Sequence, residues 1–163
     1  MSELVIRNAA AGDHDAIWEI MEYVIAQGDT LVFAPGAPRA SMLDFWAGNG
    51  RHTYVADING KVLGTYFIKA NQPDLGSHIA NAGYMTHPEA RGQGIGYQMG
   101  LHSLQEARQL GFHAMQFNIV IKSNEGAVRL WQKLGFDIIG EIPDAFQHQK
   151  LGLTNAYIMY QKL

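Results

Sequence analysis

The stretch Met85-Thr86-His87-Pro88-Glu89-Ala90-Arg91-Gly92-Gln93-Gly94-Ile95-Gly96-Tyr97 holds the residues whose types and spacing best suit chemistry. Glycines at 92, 94 and 96 remove the side chains that would keep a ligand off the backbone. They also permit positive φ, which other residues adopt only with strain. An apolar helical pattern follows at once (Leu101, Leu104, Ala107, Leu110, with Arg108). The free N–H groups of its first turn and the positive end of its dipole therefore face the loop. Such a loop suits a pyrophosphate. Two other phosphate loops do not fit. A P-loop needs Lys then Ser or Thr after its last glycine, whereas Tyr97-Gln98 follow Gly96. A dinucleotide loop needs Gly or Ala where Met99 stands, and an acidic residue ending a second strand about 20 residues on. What remains is Arg-x-x-Gly-x-Gly, carried by Arg91, Gly94 and Gly96.

A second stretch, Asn124-Glu125-Gly126-Ala127-Val128-Arg129-Leu130-Trp131-Gln132-Lys133-Leu134-Gly135-Phe136, follows the apolar run from Met115 to Ile121. With the first motif it makes the chain resemble the GCN5-related N-acetyltransferases over nearly its whole length. That family commonly shows Asn-x-x-Ala-x-x-Leu-Tyr-x-x-x-Gly-Phe, and this chain matches all but the tyrosine, replaced by Trp131. Asn81-Ala82-Gly83-Tyr84, Phe117-Asn118-x-Val120 and Ser123-Asn124 further resemble the subgroup that acetylates proline analogues such as azetidine-2-carboxylate.

The resemblance implies acetyl-CoA as acyl donor and a parallel pair of strands, at Ile79 and Ala114, that splay to admit the pantetheine arm like an added strand. Backbone groups of Met85 and Thr86 would pair with that arm. Amides from Gly92, Gln93, Gly94, Ile95, Gly96 and Tyr97 would hold the pyrophosphate, Arg91 would add charge, and Asn124, Ala127 and Trp131 would complete the cofactor wall. A backbone N–H near Met85 would serve the oxyanion; losing such a donor typically costs ~3 kcal/mol.

Proton transfer is less legible. An alkyl ammonium has a pKa of about 10 and is mostly unreactive at neutral pH. His78, His87, Asp29 and Glu125 lie near the motifs in sequence, yet none stands out as a base. Trp131 offers an indole donor but no usable acid, leaving water or another hydroxyl, such as Tyr84 or Tyr97. Asn81 and Asn118 sit within apolar strands that disfavour asparagine. Either could orient the attacking amine; neither amide titrates. Asn124 also reads as a helix N-cap. Thr30, Leu31 and Phe33, in the loop from Gly28 to Arg39, are expected to line the acceptor pocket as part of a lid.

The elements that must position these residues follow from periodicity and turn chemistry. Strand Leu4 to Ile6 and a helix opened by Asp13, apolar at Ile17, Ile20, Met21, Val24 and Ile25, begin the chain. Ser41, with Asp44 three residues on, reads as the cap of a short helix. Strands Thr53 to Ala56 and Val62 to Ala70 form a hairpin through Asn59-Gly60. Strand Ile79 to Thr86, helix Ile95 to Leu110, strand Ala114 to Ile121, helix Glu125 to Leu134, and strands Phe136 to Gly140 and Asn155 to Gln161 complete an α/β (α+β) fold. Its sheet is mixed and mostly antiparallel, with a central parallel pair.

The 163 residues suit one domain, residues 1–163. No apolar run of about 18 residues suggests a membrane span, and no leader is apparent, so the cytoplasm is the expected location. Zero cysteines exclude disulfides, thiolate metal sites and an acyl-cysteine, so acyl transfer would be direct. Seven histidines without ligand spacing imply no metal. A net charge of −3 argues against nucleic acid as partner. Charged residues reach only 17% against roughly 25% in typical domains, which points to a homodimer hiding apolar surface. The expected function is acetyl transfer to a small-molecule amine, an amino acid or its analogue. A peptide or protein amine, a noncatalytic acyl-CoA sensor and a purely structural dimerisation domain stay open as alternatives.

Overall fold

Alternating apolar positions build strands and 3.6-period apolar stripes build helices, in the order β1 (Leu4–Asn8), α1 (His14–Gln27), α2 (Arg39–Ala47), β2 (His52–Ile58), β3 (Lys61–Ala70), β4 (Ile79–Thr86), α3 (Ile95–Gln109), β5 (Ala114–Ile121), α4 (Glu125–Lys133), β6 (Asp137–His148) and β7 (Gly152–Lys162). The computed structural model describes residues 2–163. One seven-stranded sheet runs β1-β2-β3-β4-β5-β7-β6. Every neighbouring pair is antiparallel except β4 and β5, which are parallel. Asn59 and Gly60, with φ of 55° and 81°, turn β2 into β3 as Asn-Gly hairpins do.

Successive residues of a strand face opposite sides, so the sheet serves two cores. On one face Tyr66, Ile68, Ala80 and Met115 pack with Met99 and Leu104 of α3 and Trp131 of α4. On the other, Val55, Phe67 and Met85 pack with Ile17, Ile20 and Met21 of α1 and Trp46 of α2.

Two boundaries differ from the expectations above. α2 starts at Arg39, with Pro38 before it, and Ser41 lies inside the helix with its hydroxyl donating to the Pro38 carbonyl at 3.0 Å. Proline, with its fixed φ and missing N–H, favours a helix start without any side-chain cap. The last two strands run far beyond Gly140 and begin before Asn155. Pro143 and Asp144 look like breakers, but they fall at a register shift in the edge strand β6, where a missing donor costs no ladder bond.

The architectural point that matters for function is the β4–β5 seam. These strands pair only at Ile79 with Ala114 and Ala80 with Met115, then separate. The Asn81 side chain donates to the Gln116 carbonyl at 3.0 Å just past the last pair, spanning the start of the opening. Beneath it, α3 approaches the end of α4 closely: a Cβ on Gly100 would lie 2.4 Å from Leu134 Cδ1 and 3.4 Å from the Trp131 ring. Gly100→Val is therefore expected to destabilise the domain by about 2 kcal/mol through overpacking. Thermal denaturation should show this as a Tm lower by roughly 4–8 °C.

Candidate active site

The cradle begins where β4 ends. Pro88 starts a 3₁₀ turn through Ala90, and Gly92 and Gly94 then take φ of 75° and 72°. Gly94 is the left-handed residue immediately before α3. The first intrahelical bond runs from the Gln98 N–H to the Gly94 carbonyl, so the N–H groups of Ile95, Gly96 and Tyr97 have no partner in the helix. A Cβ on Gly92 or Gly94 would meet nothing within 4 Å, so the space over the loop is open. Arg91, Gly92, Gly94, Ile95, Gly96 and Tyr97 all line a cleft of about 630 Å³. Gln93 does not: its amide turns back and donates to the Glu89 carbonyl at 2.7 Å. Arg91 is exposed. This geometry can seat an anion on backbone amides.

Met85 and Thr86 both line the cleft, but the strand register turns the Met85 amide away from the β4–β5 opening. That amide lies opposite Thr65 of β3. The bonds from the His87 N–H to the Leu63 carbonyl and from the Asn71 N–H to the Ile79 carbonyl set the parity of that ladder. Residues 79, 81, 83, 85 and 87 thus bond toward β3, and the N–H groups of Ala82, Tyr84 and Thr86 face the gap beside β5. The amides of Tyr84 and Thr86 edge the gap, while the Met85 N–H faces β3. The Met85 side chain is buried in the core under α1.

A second cavity, of about 270 Å³, opens on the far side of the seam. It is walled by aromatic rings: Phe33 lies edge-on to Phe45 at 4.9 Å, Phe45 to Phe67 at 5.7 Å, and Trp46 to Phe67 at 4.8 Å. The sequence-predicted Thr30, Leu31, Phe33, Asn81 and Asn118 all line it. Because the Asn81 amide nitrogen is held by the Gln116 carbonyl, its Oδ1 remains as an acceptor in the cavity. Asn118 is engaged instead at the rim. It accepts from the Gln116 amide at 3.0 Å and donates to Asn71 at 2.7 Å. It sits in a bulge where β5 leaves β7 between Phe117 and Val120.

The cleft and the cavity share Thr30, Tyr84, Asn124, Ala127 and Trp131 as walls. The buried Thr30 hydroxyl has no hydrogen-bond partner among the described residues. Asn124 caps α4, its Oδ1 accepting from the Ala127 N–H at 3.3 Å. Trp131 packs its ring against Tyr84 at 4.6 Å and Phe117 at 4.7 Å.

Proton handling is constrained by burial. The Tyr84 hydroxyl is turned into the core, 2.6 Å from Ser103 Oγ, and desolvation pushes its pKa well above the ordinary value despite that bond. Burial thus favours the neutral, protonated hydroxyl, held against Ser103. His87 accepts the Glu89 N–H on Nδ1 at 3.1 Å, and its Nε2 lies 3.4 Å from Glu19. It lines the cleft, as does Asp29, but neither lines the second cavity. His78 packs against His113 with ring centroids 6.1 Å apart, and Glu125 pairs with Arg129 on the exposed face of α4. The walls of the second cavity carry no Asp, Glu, His, Lys or Arg among the described residues.

Phe45, Trp46 and Phe67 of the cavity wall, and Asn71 behind Asn118, belong to no motif of the sequence. The last two share one face of the β3 region at period two, a signal available in the sequence. The helix α2 residues join the site only through tertiary packing.

The model of the acetyltransferase (GNAT) family matches residues 18–136. Over 105 residues the chain is 37% identical to the N-acetyltransferase aca1 of Schizosaccharomyces pombe, covering 63% of this chain and 49% of that protein. It thus spans about half the length of that relative. It is 29% identical over 147 residues to the L-methionine sulfoximine/L-methionine sulfone acetyltransferase of Pseudomonas aeruginosa, covering 88% of this chain and 78% of that one. A solved GCN5-related N-acetyltransferase from Kribbella flavida superposes with a TM-score of 0.93 at 34% identity, over 98% of both chains. With its motif-bearing loop, splayed parallel pair and seven-stranded sheet, the chain belongs to the acetyltransferase (GNAT) family.

Proposed function

We propose that this chain is an acetyl-CoA-dependent N-acetyltransferase whose acceptor is a small amine, an amino acid or amino-acid analogue, attacked directly within a ternary complex. One observation carries it: an anion-seating cleft and a separate aromatic cavity meet at the β4–β5 opening, with five residues common to both walls. The open space over Gly92 and Gly94 and the free N–H groups of Ile95, Gly96 and Tyr97 fit a pyrophosphate. The kinship with an enzyme named for methionine sulfoximine and methionine sulfone supports the acceptor class.

Acetyl-CoA, when bound, supplies an activated acyl group. The chain's own residues then have separable tasks. The amides of Ile95, Gly96 and Tyr97, with Arg91 at the entrance, hold the pyrophosphate. The Tyr84 N–H, where the cleft and cavity meet, is the donor available to an oxyanion. Asn81 Oδ1 accepts an N–H from the incoming amine and so aims its lone pair. With no Asp, Glu, His, Lys or Arg on the acceptor walls and the Tyr84 hydroxyl turned toward Ser103, the amine gives its proton to water rather than to a side chain. The aromatic rings exclude bulk solvent. A cytoplasmic homodimer completes the proposal: an acetyl-CoA-dependent enzyme meets its donor in the cytoplasm, and Ile139 of β6, Leu153 of β7 and Leu151 in the turn between them expose apolar surface. Light scattering on the purified chain checks the dimer.

The test is calorimetric titration with acetyl-CoA followed by release of free coenzyme A over a panel of amino acids and simple amines. Binding together with acceptor-dependent release supports the enzyme. Binding without release above background hydrolysis favours an acyl-CoA sensor, a reading that Trp131 at the tyrosine position keeps in play. Absence of binding overturns both.

A further inference from the structure

Phe45 forms part of the acceptor cavity wall, and two cations stand at its ring. The Arg51 guanidinium carbon lies 5.3 Å and the Lys69 ammonium 5.6 Å from its centroid. Lys69 is directly opposite Asn81 in the β3–β4 register. Directly opposed residues project to the same face of a sheet, with Cβ atoms about 5 Å apart. Lys69 therefore stands beside the asparagine that offers its Oδ1 to the amine.

Neither cation has an acidic partner among the described residues; the eight ion pairs found there involve other residues. Arg51 donates only to the carbonyls of Phe45 and Asn49, at 2.8 and 3.3 Å. Burial first, and the Arg51 charge second, lower the Lys69 pKa from its ordinary value. Two like charges held together without a counter-ion make a site that an anion would relieve. The cavity walls themselves are uncharged, so an acidic group on the acceptor would find its counter-charge just beyond them.

We propose that Lys69, supported by Arg51, receives the carboxylate of the acceptor, which makes that acceptor an α-amino acid with an apolar or weakly polar side chain. The inference rests on the acetyltransferase function proposed above. An α-amino acid separates amine and carboxylate by one carbon, matching the side-by-side placement of Asn81 and Lys69. Its side chain then faces Phe33, Phe45 and Phe67. Arg51, whose Nε is tied to the Phe45 carbonyl, holds that ring and contributes field.

L-methionine sulfone, L-leucine and L-phenylalanine, each beside its methyl ester, provide the test, with the parent and Lys69→Gln compared. The parent is expected to prefer the acids. In Lys69→Gln the acid-over-ester ratio of kcat/KM should fall about 10–100-fold, through KM rather than kcat, as expected for losing a charge-assisted contact. Calorimetric titration of the preferred acid into the protein with coenzyme A should weaken by the same factor. A ratio unchanged by Lys69→Gln, or a parent that prefers the esters, overturns the carboxylate assignment. A parent that binds acetyl-CoA and consumes simple amines but none of these acids also overturns it, while leaving the acetyltransferase function standing. Failure to bind acetyl-CoA sinks that function itself.

Discussion

Gly94→Trp is expected to weaken acetyl-CoA binding by at least about 100-fold, roughly 3 kcal/mol, in a chain that still folds. The two halves of that expectation have separate origins. Gly94 has φ of 72°, and a Cβ there meets no atom within 4 Å, so a side chain leaves the backbone into open space. An indole there occupies the space above the free N–H groups at the start of α3. The left-handed conformation itself costs a non-glycine residue about 1–2 kcal/mol, too little to unfold a typical domain. Gly94→Asn is the matched control, since asparagine tolerates this conformation with a short side chain and should retain most of the affinity. Calorimetric titration, with circular dichroism to confirm folding, reads both. Equal binding by parent and Gly94→Trp would move the pyrophosphate elsewhere.

Asn81→Ala should lower kcat about 100-fold while acetyl-CoA affinity changes by less than about twofold, because the amide acts on the acceptor and misplaced reacting atoms cost of that order. Asn81 also bridges β4 to the Gln116 carbonyl, so the two roles must be told apart. If Asn81 only props the seam, acetyl-CoA affinity and turnover will fall together. If it aims the amine, turnover falls alone. Steady-state kinetics with a saturating acceptor, set beside a binding titration, separates these outcomes, and unchanged turnover would remove Asn81 from the reaction.

The segment from Arg91 to Tyr97 was legible because its chemistry is local. Positive φ at glycine and unpartnered amides in a first helical turn depend on a few adjacent residues. The Asn59-Gly60 hairpin and the Asn124 cap are local in the same way. The extent of β6 was not, because Pro143 and Asp144 look like breakers until their place on a sheet edge is known.

Family, fold class and the anion loop could thus be argued from the sequence alone, since short-range conformational preference and two spaced motifs carry them, and the family resemblance implied the separation of β4 from β5. The tertiary structure decided what depends on partners distant in the chain. It fixed which amides face the gap, a matter of ladder parity with β3 that assigns Tyr84 and Thr86 rather than Met85. It turned the Tyr84 hydroxyl toward Ser103, 19 residues on, and tied Asn118 to Asn71 across 47 residues. It also gathered Arg51 and Lys69 around Phe45. Periodicity tells which face a side chain takes; only the packed sheet tells what waits there.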